Sequence, residues 1–180
     1  MTKVAPTASP HLPSETTLRR QLRRQRAALP PPVQQQYATQ ALRHLRQQAT
    51  WRNARHIALY LPVQGEMDPT LLRKLALPRQ TFYLPVLSPF HDKRLWFVRW
   101  DKQTRLRLNR FKIPEPVASY RQARSARCLD LVITPLVAFD LRGNRLGMGG
   151  GFYDRSLAYL RRRKNWHKPT LLGVAHRCQH

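Results

Sequence analysis

The sequence contains few cysteines and few glycines, and it has no long hydrophobic run. Two cysteines among 180 residues exclude a disulfide framework and indicate a reducing compartment. Seven glycines without a repeat exclude a collagen-like chain. The most apolar stretch, residues 129–139, is too short to span a bilayer and contains Pro135. The start of the chain has no apolar run of signal-peptide length, so we expect a soluble protein of the cytoplasm.

Acidic residues are scarce as well. Nine aspartates and glutamates face 33 lysines and arginines, which gives a formal net charge of +24. The excess is spread over both halves of the chain, and such a field attracts polyanions such as nucleic acids, nucleotides and polyglutamates. The charge alone leaves two interpretations open: an anionic partner, or arginine-rich helix faces that only meet solvent. A hydrophobic fraction of 42% indicates a globular fold in either case.

The hydrophobic periodicity predicts two helices followed by strands that alternate with helices. This order is typical of an α/β layer fold with a mostly parallel sheet. Residues 1–14, rich in Pro, Ser and Thr, are predicted to be a disordered leader, and residues 15–180 a single domain. Helices are predicted at 16–28, 33–48, 70–77 and 153–163, and strands at 56–61, 81–87, 94–100, 129–134 and 170–175, with 106–113 ambiguous.

The glycines concentrate in one loop. Five of the seven lie between Gly143 and Gly151, after a predicted buried strand and before a predicted helix. Glycines there let the backbone approach a ligand closely, and free N–H groups beside a helix start can bind an anion. Arg145 can fork onto phosphate oxygens, and Asp154 can hold a Mg²⁺ ion that bridges them. The loop is neither a Walker A loop nor a dinucleotide fingerprint, and a tight turn without a ligand is the alternative.

A second candidate segment, residues 61–68, follows the first predicted strand. Open α/β sheets bind ligands beyond the carboxyl ends of their strands. Asp68 precedes Pro69 and has a structural role available as a helix cap. Glu66 has no such role, so it is the better candidate for a ligand contact; the alternative is an exposed loop acid.

Together these segments resemble the 5-formyltetrahydrofolate cyclo-ligase family, also called methenyltetrahydrofolate synthetase. The resemblance rests on LVITPLVAFDLRGNRLGMGGGFYDR and LYLPVQGEMD, and it extends through LRRQLRRQRAAL, YLPVL, LWFVRW, IPEP and GVAHRCQ. It covers residues 16–179 and implies a three-layer α/β/α domain. The implied reaction uses ATP and Mg²⁺ to convert 5-formyltetrahydrofolate into 5,10-methenyltetrahydrofolate, with release of ADP and phosphate. The implied route is phosphorylation of the formyl oxygen followed by ring closure.

The resemblance also implies roles for individual residues. Arg145 and Tyr153 would be catalytic, and Asp154 would hold magnesium. The implied ATP-binding residues are Arg19, Arg145, Leu146, Gly147, Met148, Gly149, Gly150, Gly151, Phe152 and Tyr153. The implied folate-binding residues are Leu61, Glu66, Met148, Gly149, Gly150, Gly151 and Phe152. We expect a monomer that acts on small molecules.

Two departures from the family pattern carry expectations of their own. The family often has a basic residue four positions before the one matched by Arg19, whereas Glu15 stands here. The family also continues past the position of Gln179 with an acid that helps to place the metal, whereas this chain stops at His180. We therefore expect a folded but weakened enzyme that needs more magnesium than a longer relative.

Two other functions were weighed against the cyclo-ligase. A basic RNA-binding module fits the charge of +24, but no ordered RNA-reading motif accompanies it. His176, Cys178 and His180 alternate along a segment that could be a strand, which would place them on one face. As a zinc site this group is weak, because a fourth ligand is not evident.

Overall fold

A computed structural model describes residues 14–90, 92–162 and 168–180. Its centre is a six-stranded sheet in the order β10-β7-β1-β2-β3-β6. The strands of this sheet are β1 His56–Ala58, β2 Thr81–Leu87, β3 Leu95–Arg99, β6 Ala123–Arg124, β7 Leu131–Thr134 and β10 Thr170–Gly173. The α-helices are α1 Glu15–Ala27, α2 Pro31–Gln47, α3 Ala49–Asn53 and α4 Phe152–Ser156.

Three of the five strand pairs in this sheet are parallel. β1 lies between β2 and β7, β10 lies outside β7, and all four run in the same direction. β3 and β6 are antiparallel additions at the other side. The prediction of a mostly parallel sheet is thus confirmed. The carboxyl ends of β1 and β7 meet at one edge, so the two segments that carry the candidate motifs leave the sheet side by side.

The sheet is covered on both faces, as the predicted three-layer arrangement requires. Alternation along β1 sends Ile57 to one face and Ala58 to the other. On the first face, Leu42 and Leu45 of α2, Trp51 of α3 and Leu72 pack against the sheet. On the second face the cover comes from α4, the short 3₁₀ helices beside it and the turn before β7, through residues Ala126, Leu129 and Leu157.

The two N-terminal helices form where the apolar spacing predicts them. Ser14 caps α1 by accepting a hydrogen bond from the N–H of Thr17, and prolines at its first positions start α2. α1 buries only Leu22 and Arg26, because most of its remaining surface is polar, and Leu18 is partly buried beside Leu22. No helix within the described part of the chain has the length and apolarity that a membrane span requires.

Two predicted helices differ from the structure. The segment predicted as a helix over 70–77 is a 3₁₀ helix, Pro69–Leu75, which ends before the extended Leu77-Pro78 step. The helix predicted over 153–163 is divided into α4 and a 3₁₀ helix, Ala158–Arg162. Ser156 ends α4: its hydroxyl donates to the Phe152 carbonyl and accepts from the N–H of Leu95, which fixes this turn to β3. Of the predicted leader at 1–14, residues 1–13 lie outside the described residues, as does Arg163, while Ser14 caps α1.

Two small hairpins were not predicted. The ambiguous segment 106–113 contains β4, Leu106–Leu108, which pairs with β5, Pro114–Pro116. The segment after β7 forms β8, Ala138–Phe139, and β9, Arg145–Leu146, so the glycine-rich loop follows a hairpin and not the central strand directly. Strands of two or three residues are too short to show an alternating pattern.

Asp130 anchors the start of β7 and offers a test of the fold. Its carboxylate accepts hydrogen bonds from the N–H groups of Arg55 and His56 and from the Lys168 ammonium. Partial burial acts to raise the pKa of the Asp130 carboxyl, but these hydrogen bonds outweigh burial, so its pKa lies below the ordinary value. The carboxylate therefore stabilises the fold above its unfolded-state pKa, and this contribution is lost as pH falls through the folded-state pKa.

We expect Asp130→Ala to lower the free energy of unfolding by about 1–3 kcal/mol at neutral pH, because two backbone N–H groups lose their acceptor. Denaturant unfolding across pH 2–7 measures this difference, which should shrink in acid. Asp130→Asn is the control, since it keeps an acceptor oxygen and should lose less. A difference that stays constant into acid would contradict this account of the carboxylate.

Candidate active site

One cavity of about 740 Å³ lies beyond the carboxyl ends of β1 and β7. The loop after β1 and the glycine-rich loop form two of its walls, and α1 reaches it from the side. The residues predicted for the site that line the cavity are Arg19, Leu61, Glu66, Arg145, Gly147, Met148, Gly149, Gly150, Gly151, Phe152, Tyr153 and Asp154. Residues from two motifs far apart in sequence thus share one pocket of the size that small ligands occupy.

Leu146 is the exception among the predicted site residues. It pairs with Ala138 in the β8–β9 hairpin, and its side chain packs with Leu22 and Val137 instead of lining the cavity. The alternation of a strand explains the difference: Arg145 faces the cavity, so its neighbour Leu146 faces α1. Leu146 therefore holds the hairpin against the helix.

The glycine-rich loop connects this hairpin to α4. Gly149 and Gly151 have φ angles of 94° and 64°, in the region that only glycine adopts without strain. Gly151 is also the residue before the first turn of α4, so its conformation sets where Phe152 and Tyr153 leave the loop. A residue with a side chain at either position would be strained in this conformation, so its substitution would change the course of the loop along the cavity.

Arg145 and Asp154 form an ion pair at the mouth of the cavity. The Arg145 guanidinium donates to Asp154 Oδ1 at 2.5 Å, and the Asp154 side chain is about half exposed. Among the described residues no group of three histidines, cysteines or acids is arranged to hold a metal ion. One exposed carboxylate nevertheless fits Mg²⁺ that is held mainly by water and phosphate oxygens. Arg145 and Asp154 thus carry the charges that a magnesium–phosphate ligand needs, each neutralised by the other here.

Arg19 reaches the glycine-rich loop from α1. Its Nε donates to the carbonyl oxygen of Gly147 at 3.0 Å, and its Nη2 pairs with Glu15 at 2.7 Å. Glu15, which stands where the family often has a basic residue, therefore occupies one of the hydrogen-bonding nitrogens of Arg19. The pair is largely exposed, so solvent screens it.

Glu66 is buried at the inner end of the cavity, while Asp68 has the capping role predicted for it. Asp68 Oδ1 accepts from the N–H of Thr70. Glu66 is only 7% exposed and accepts from the N–H of Val63. Burial raises the pKa of the Glu66 carboxyl, and the nearby Arg26 guanidinium and the Val63 N–H offset part of that effect. A buried carboxylate facing a cavity is suited to bind N–H donors of a ligand.

Arg26 was not predicted, yet it ties the site together. Its guanidinium is fully buried, donates to the carbonyl oxygens of Gln64 and Leu136, and lies 3.6 Å from Glu66 Oε1. One side chain of α1 thus joins the loop after β1 to the loop after β7. In the sequence it is one of many arginines, but it occupies the apolar face of α1 four residues after Leu22, and that position was the available signal.

Two tyrosines near Glu66 are held in the protonated form. Burial, followed by the negative charge of Glu66, raises the pKa of Tyr60 and of Tyr153 well above the ordinary value. The Tyr60 hydroxyl donates to the carbonyl oxygen of Met67 at 2.7 Å. Tyr153 lies beside Arg145, whose guanidinium carbon is 5.9 Å from the ring centre. The Tyr153 hydroxyl can therefore donate a hydrogen bond to a group in the cavity.

A wall of the cavity comes from a segment that sequence reasoning left unassigned. The turn between β4 and β5 brings Phe111 against Phe152, with ring centres 5.5 Å apart in an edge-to-face arrangement. Asn109 shapes this turn: its side-chain oxygen accepts from the N–H groups of Phe111 and Ile113. Leu61 and Met148 add apolar surface elsewhere on the lining. A flat aromatic ligand would find an apolar wall here.

The weak zinc hypothesis is wrong for the described residues. The segment that carries His176, Cys178 and His180 is not a strand but a 3₁₀ helix, Arg177–Gln179, so alternation does not place the three side chains on one face. His176 is buried with its ring 6.2 Å from that of Tyr37, while the His180 ring packs against Phe139. The segment serves the fold instead, because Gln179 donates to the carbonyl oxygens of Leu136 and Val137.

Comparison with known proteins supplies the family. Residues 12–180 match the sequence model of the 5-formyltetrahydrofolate cyclo-ligase family. The chain belongs to that family. The 5-formyltetrahydrofolate cyclo-ligase of Escherichia coli K12 is 41% identical over 161 residues, which is 88% of this chain and 85% of that protein. The cyclo-ligase of Haemophilus influenzae is 38% identical over 165 residues, or 90% and 85% of the two chains.

Solved structures of cyclo-ligase relatives show the same fold. The 5,10-methenyltetrahydrofolate synthetase of Aquifex aeolicus is 28% identical, with a TM-score of 0.75 over 92% of this chain and 79% of that one. The synthetase of Mycoplasma pneumoniae is 21% identical, with a TM-score of 0.65 over 90% and 85% of the two chains. The family resemblance and the three-layer fold expected from the sequence are both confirmed.

The contact between Arg26 and Glu66 predicts a measurable titration. We expect Arg26→Met to raise the pKa of the Glu66 carboxyl further, because a positive charge close to it is lost. Carbon NMR of glutamate-labelled protein measures this directly, since Glu15, Glu66 and Glu115 are the three glutamates of the chain. Arg26→Lys keeps the positive charge, so the pKa of Glu66 should stay close to the wild-type value in that variant. Arg20→Met, on the exposed face of α1, is the control and should leave the pKa of Glu66 unchanged. An unchanged Glu66 titration in folded Arg26→Met would contradict the prediction.

Proposed function

We propose that the chain catalyses the ATP-dependent conversion of 5-formyltetrahydrofolate into 5,10-methenyltetrahydrofolate, with release of ADP and phosphate. The observation that carries the proposal is one cavity that joins two different chemistries. Its mouth holds the glycine-rich loop with Arg145 and Asp154, which suits a magnesium–phosphate group. Its inner end holds the buried Glu66 beside apolar walls, which suits a flat ring with N–H donors. The named relatives are cyclo-ligases, which supports the same reaction.

The reaction needs a better leaving group on the formyl carbon. The formyl oxygen attacks the γ-phosphorus of ATP, and the bond from phosphorus to the ADP oxygen breaks. The neighbouring anilino nitrogen then attacks the activated carbon and gives up its proton to solvent, and the former formyl oxygen leaves as part of the phosphate. The new carbon–nitrogen bond closes the five-membered ring. Phosphoryl transfer of this kind depends mainly on positioning and charge neutralisation, so a site of backbone, arginine and carboxylate is sufficient.

The mouth of the cavity supplies the neutralising charge. Arg145 turns from Asp154 to the phosphates, where its fork can donate two hydrogen bonds. Arg19 already touches the carbonyl of Gly147, so it lies within reach of a phosphate bound on the loop. Tyr153 keeps its proton and donates a hydrogen bond from its hydroxyl to an oxygen of the ligand. Asp154 would hold magnesium, which when bound shields the charge of the phosphates.

The inner end of the cavity orients the folate. The pterin ring carries an amino group beside a ring N–H, and a carboxylate can accept from both at once. Glu66 is held by the N–H of Val63 and faces Arg26, so its carboxyl has a fixed position. Leu61, Met148 and Phe152 line the cavity and offer apolar surface to the rings. In this orientation the formyl group would face Gly149, Gly150 and Gly151.

A direct assay tests the proposal. Methenyltetrahydrofolate absorbs in the near ultraviolet and 5-formyltetrahydrofolate does not, so turnover is followed by absorbance. The expected result is a rise that requires ATP and a divalent cation. A folded chain that shows no ATP-dependent rise would refute the function. We also propose that the active protein is a monomer in the cytoplasm. Analytical ultracentrifugation of the same preparation tests whether it is a monomer.

Arg145→Ala should lower turnover sharply and raise the KM for ATP. The substitution removes a charge-assisted fork worth about 1.5–3 kcal/mol, which corresponds to about a 10- to 150-fold loss of kcat/KM. Steady-state kinetics at varied ATP measures the change. Arg142→Ala is the matched control, because Arg142 is an exposed arginine in the turn of the same hairpin and does not line the cavity. Equal kinetics for Arg145→Ala and wild type would remove Arg145 from the site.

Glu66→Gln should weaken folate binding and leave ATP binding almost unchanged. The amide keeps the shape but loses the charge, so one of the two folate contacts becomes unfavourable, and we expect about a tenfold or larger rise in the KM for folate. Isothermal titration calorimetry with a non-hydrolysable ATP analogue measures whether the Kd for the nucleotide has changed. A parallel loss of both ligands would point to damaged folding and not to a folate contact, and thermal unfolding separates these cases.

A further inference from the structure

A second cavity lies at the opposite edge of the sheet, far from the glycine-rich loop. Its volume is about 700 Å³, and it opens where β1 and β2 begin and where β3 ends. Four arginines line it, and we call it the arginine groove: Arg99, Arg105, Arg121 and Arg124. No residue of the candidate active site lines it. The cyclo-ligase proposal gives it no role.

The strand register explains why arginines gather here. Arg99 pairs with Tyr83, and Arg124 pairs with Phe97, so these side chains share one face of the sheet. That face is closed over its middle by the core around Phe97 and remains open at this edge. The loops 101–105 and 117–122 form the facing wall and bring Arg105 and Arg121 opposite the strands. The groove is therefore built by elements of the sheet as well as by loops.

The charge of the groove is not balanced within the protein. No acid in the described ranges forms an ion pair with Arg105, Arg121 or Arg124. Asp101 is the one acid of the lining, and it already accepts from the Thr104 hydroxyl and the N–H of Gln103. It lies 3.8 Å from Arg99, so at most one of the four arginines is neutralised. Like charges held together without a counter-ion favour the binding of an anion.

The floor of the groove indicates what kind of anion it accepts. Tyr83 is buried there, and its hydroxyl is hydrogen-bonded to Nδ1 of His56 at 3.0 Å. Arg124 lies over the ring of Tyr83, at 5.9 Å from its centre. The tyrosine face is thus covered and offers no stacking platform for a base. Recognition would come through guanidinium forks, which match phosphate oxygens.

We propose that the arginine groove is a second binding site, for a ligand that presents two or more neighbouring phosphate groups. The volume lies within the range of small-ligand sites, and four guanidinium groups can contact more than one phosphate. Neighbouring phosphates occur in a phosphoanhydride chain and in a polynucleotide backbone. The site is independent of the cyclo-ligase reaction, so neither hypothesis depends on the other.

The test uses two probes at physiological ionic strength: inorganic tripolyphosphate and a single-stranded RNA hexamer. NMR of the nitrogen-labelled protein locates binding, and calorimetry gives the Kd. We expect at least one probe to shift the amide signals of residues 118–124. Arg121→Ala with Arg124→Ala should then weaken that event about tenfold or more, since two charge-assisted contacts are lost. Arg43→Ala with Arg46→Ala, both exposed on α2, removes the same charge elsewhere and should change it little.

Each outcome decides the proposal. If only tripolyphosphate binds in the arginine groove, the ligand is a compact polyphosphate. If the RNA hexamer binds there, the phosphates of a polynucleotide backbone are the ligand. Shifts confined to residues 147–151 would place the anion in the proposed active site and overturn the proposal. Equal weakening by both double variants would also overturn it, because it would show attraction by net charge alone.

Discussion

The buried Arg26–Glu66 contact is the interaction on which the proposed site depends. A guanidinium without solvent exposure needs acceptors inside the protein. Two carbonyl oxygens accept from Nε and Nη1 of Arg26, the Glu66 carboxylate lies 3.6 Å away, and Nη2 has no hydrogen-bond partner among the described residues. The two carbonyls and the carboxylate lie on two loops that are far apart in sequence. The requirement to satisfy one buried charge therefore fixes the position of both loops relative to α1. The cavity between the loops follows from that arrangement.

α1 contributes more to the site than its few apolar residues suggest. It buries one leucine, yet its arginines reach three places: Arg19 the glycine-rich loop, Arg23 the side chain of Gln64, and Arg26 the interior. The helix is thus attached to the loops around the cavity by hydrogen bonds to backbone and amide oxygens, in addition to the packing of Leu22. Such contacts have defined directions, whereas apolar packing does not. Hydrogen bonds of this kind restrict the orientation of the helix, and so the positions of its side chains, more than apolar packing alone would.

Much of this was visible in the sequence, for identifiable reasons. The strands β1 and β7, the helices α1 and α2 and the capping role of Asp68 follow from local patterns. Each was predicted, with strand ends that differ by two or three residues. The glycine-rich loop was found because glycine is otherwise rare in the chain. The lengths of the 3₁₀ helices and the β4–β5 and β8–β9 hairpins depend on tertiary contacts, such as the Ser156 hydroxyl with Leu95, and no local pattern records them. Arg26 was missed because thirty-three basic residues conceal one that is buried.

The Arg145–Asp154 pair has a consequence for how ligands enter. In the resting protein the two charged side chains are already paired with each other. Under the proposed function, a free cation on Asp154 or a free phosphate on Arg145 would break this pair and leave the other side chain without its partner. A metal–nucleotide complex would bring a partner for each side chain at once, so the proposed site favours the complex over either of its components.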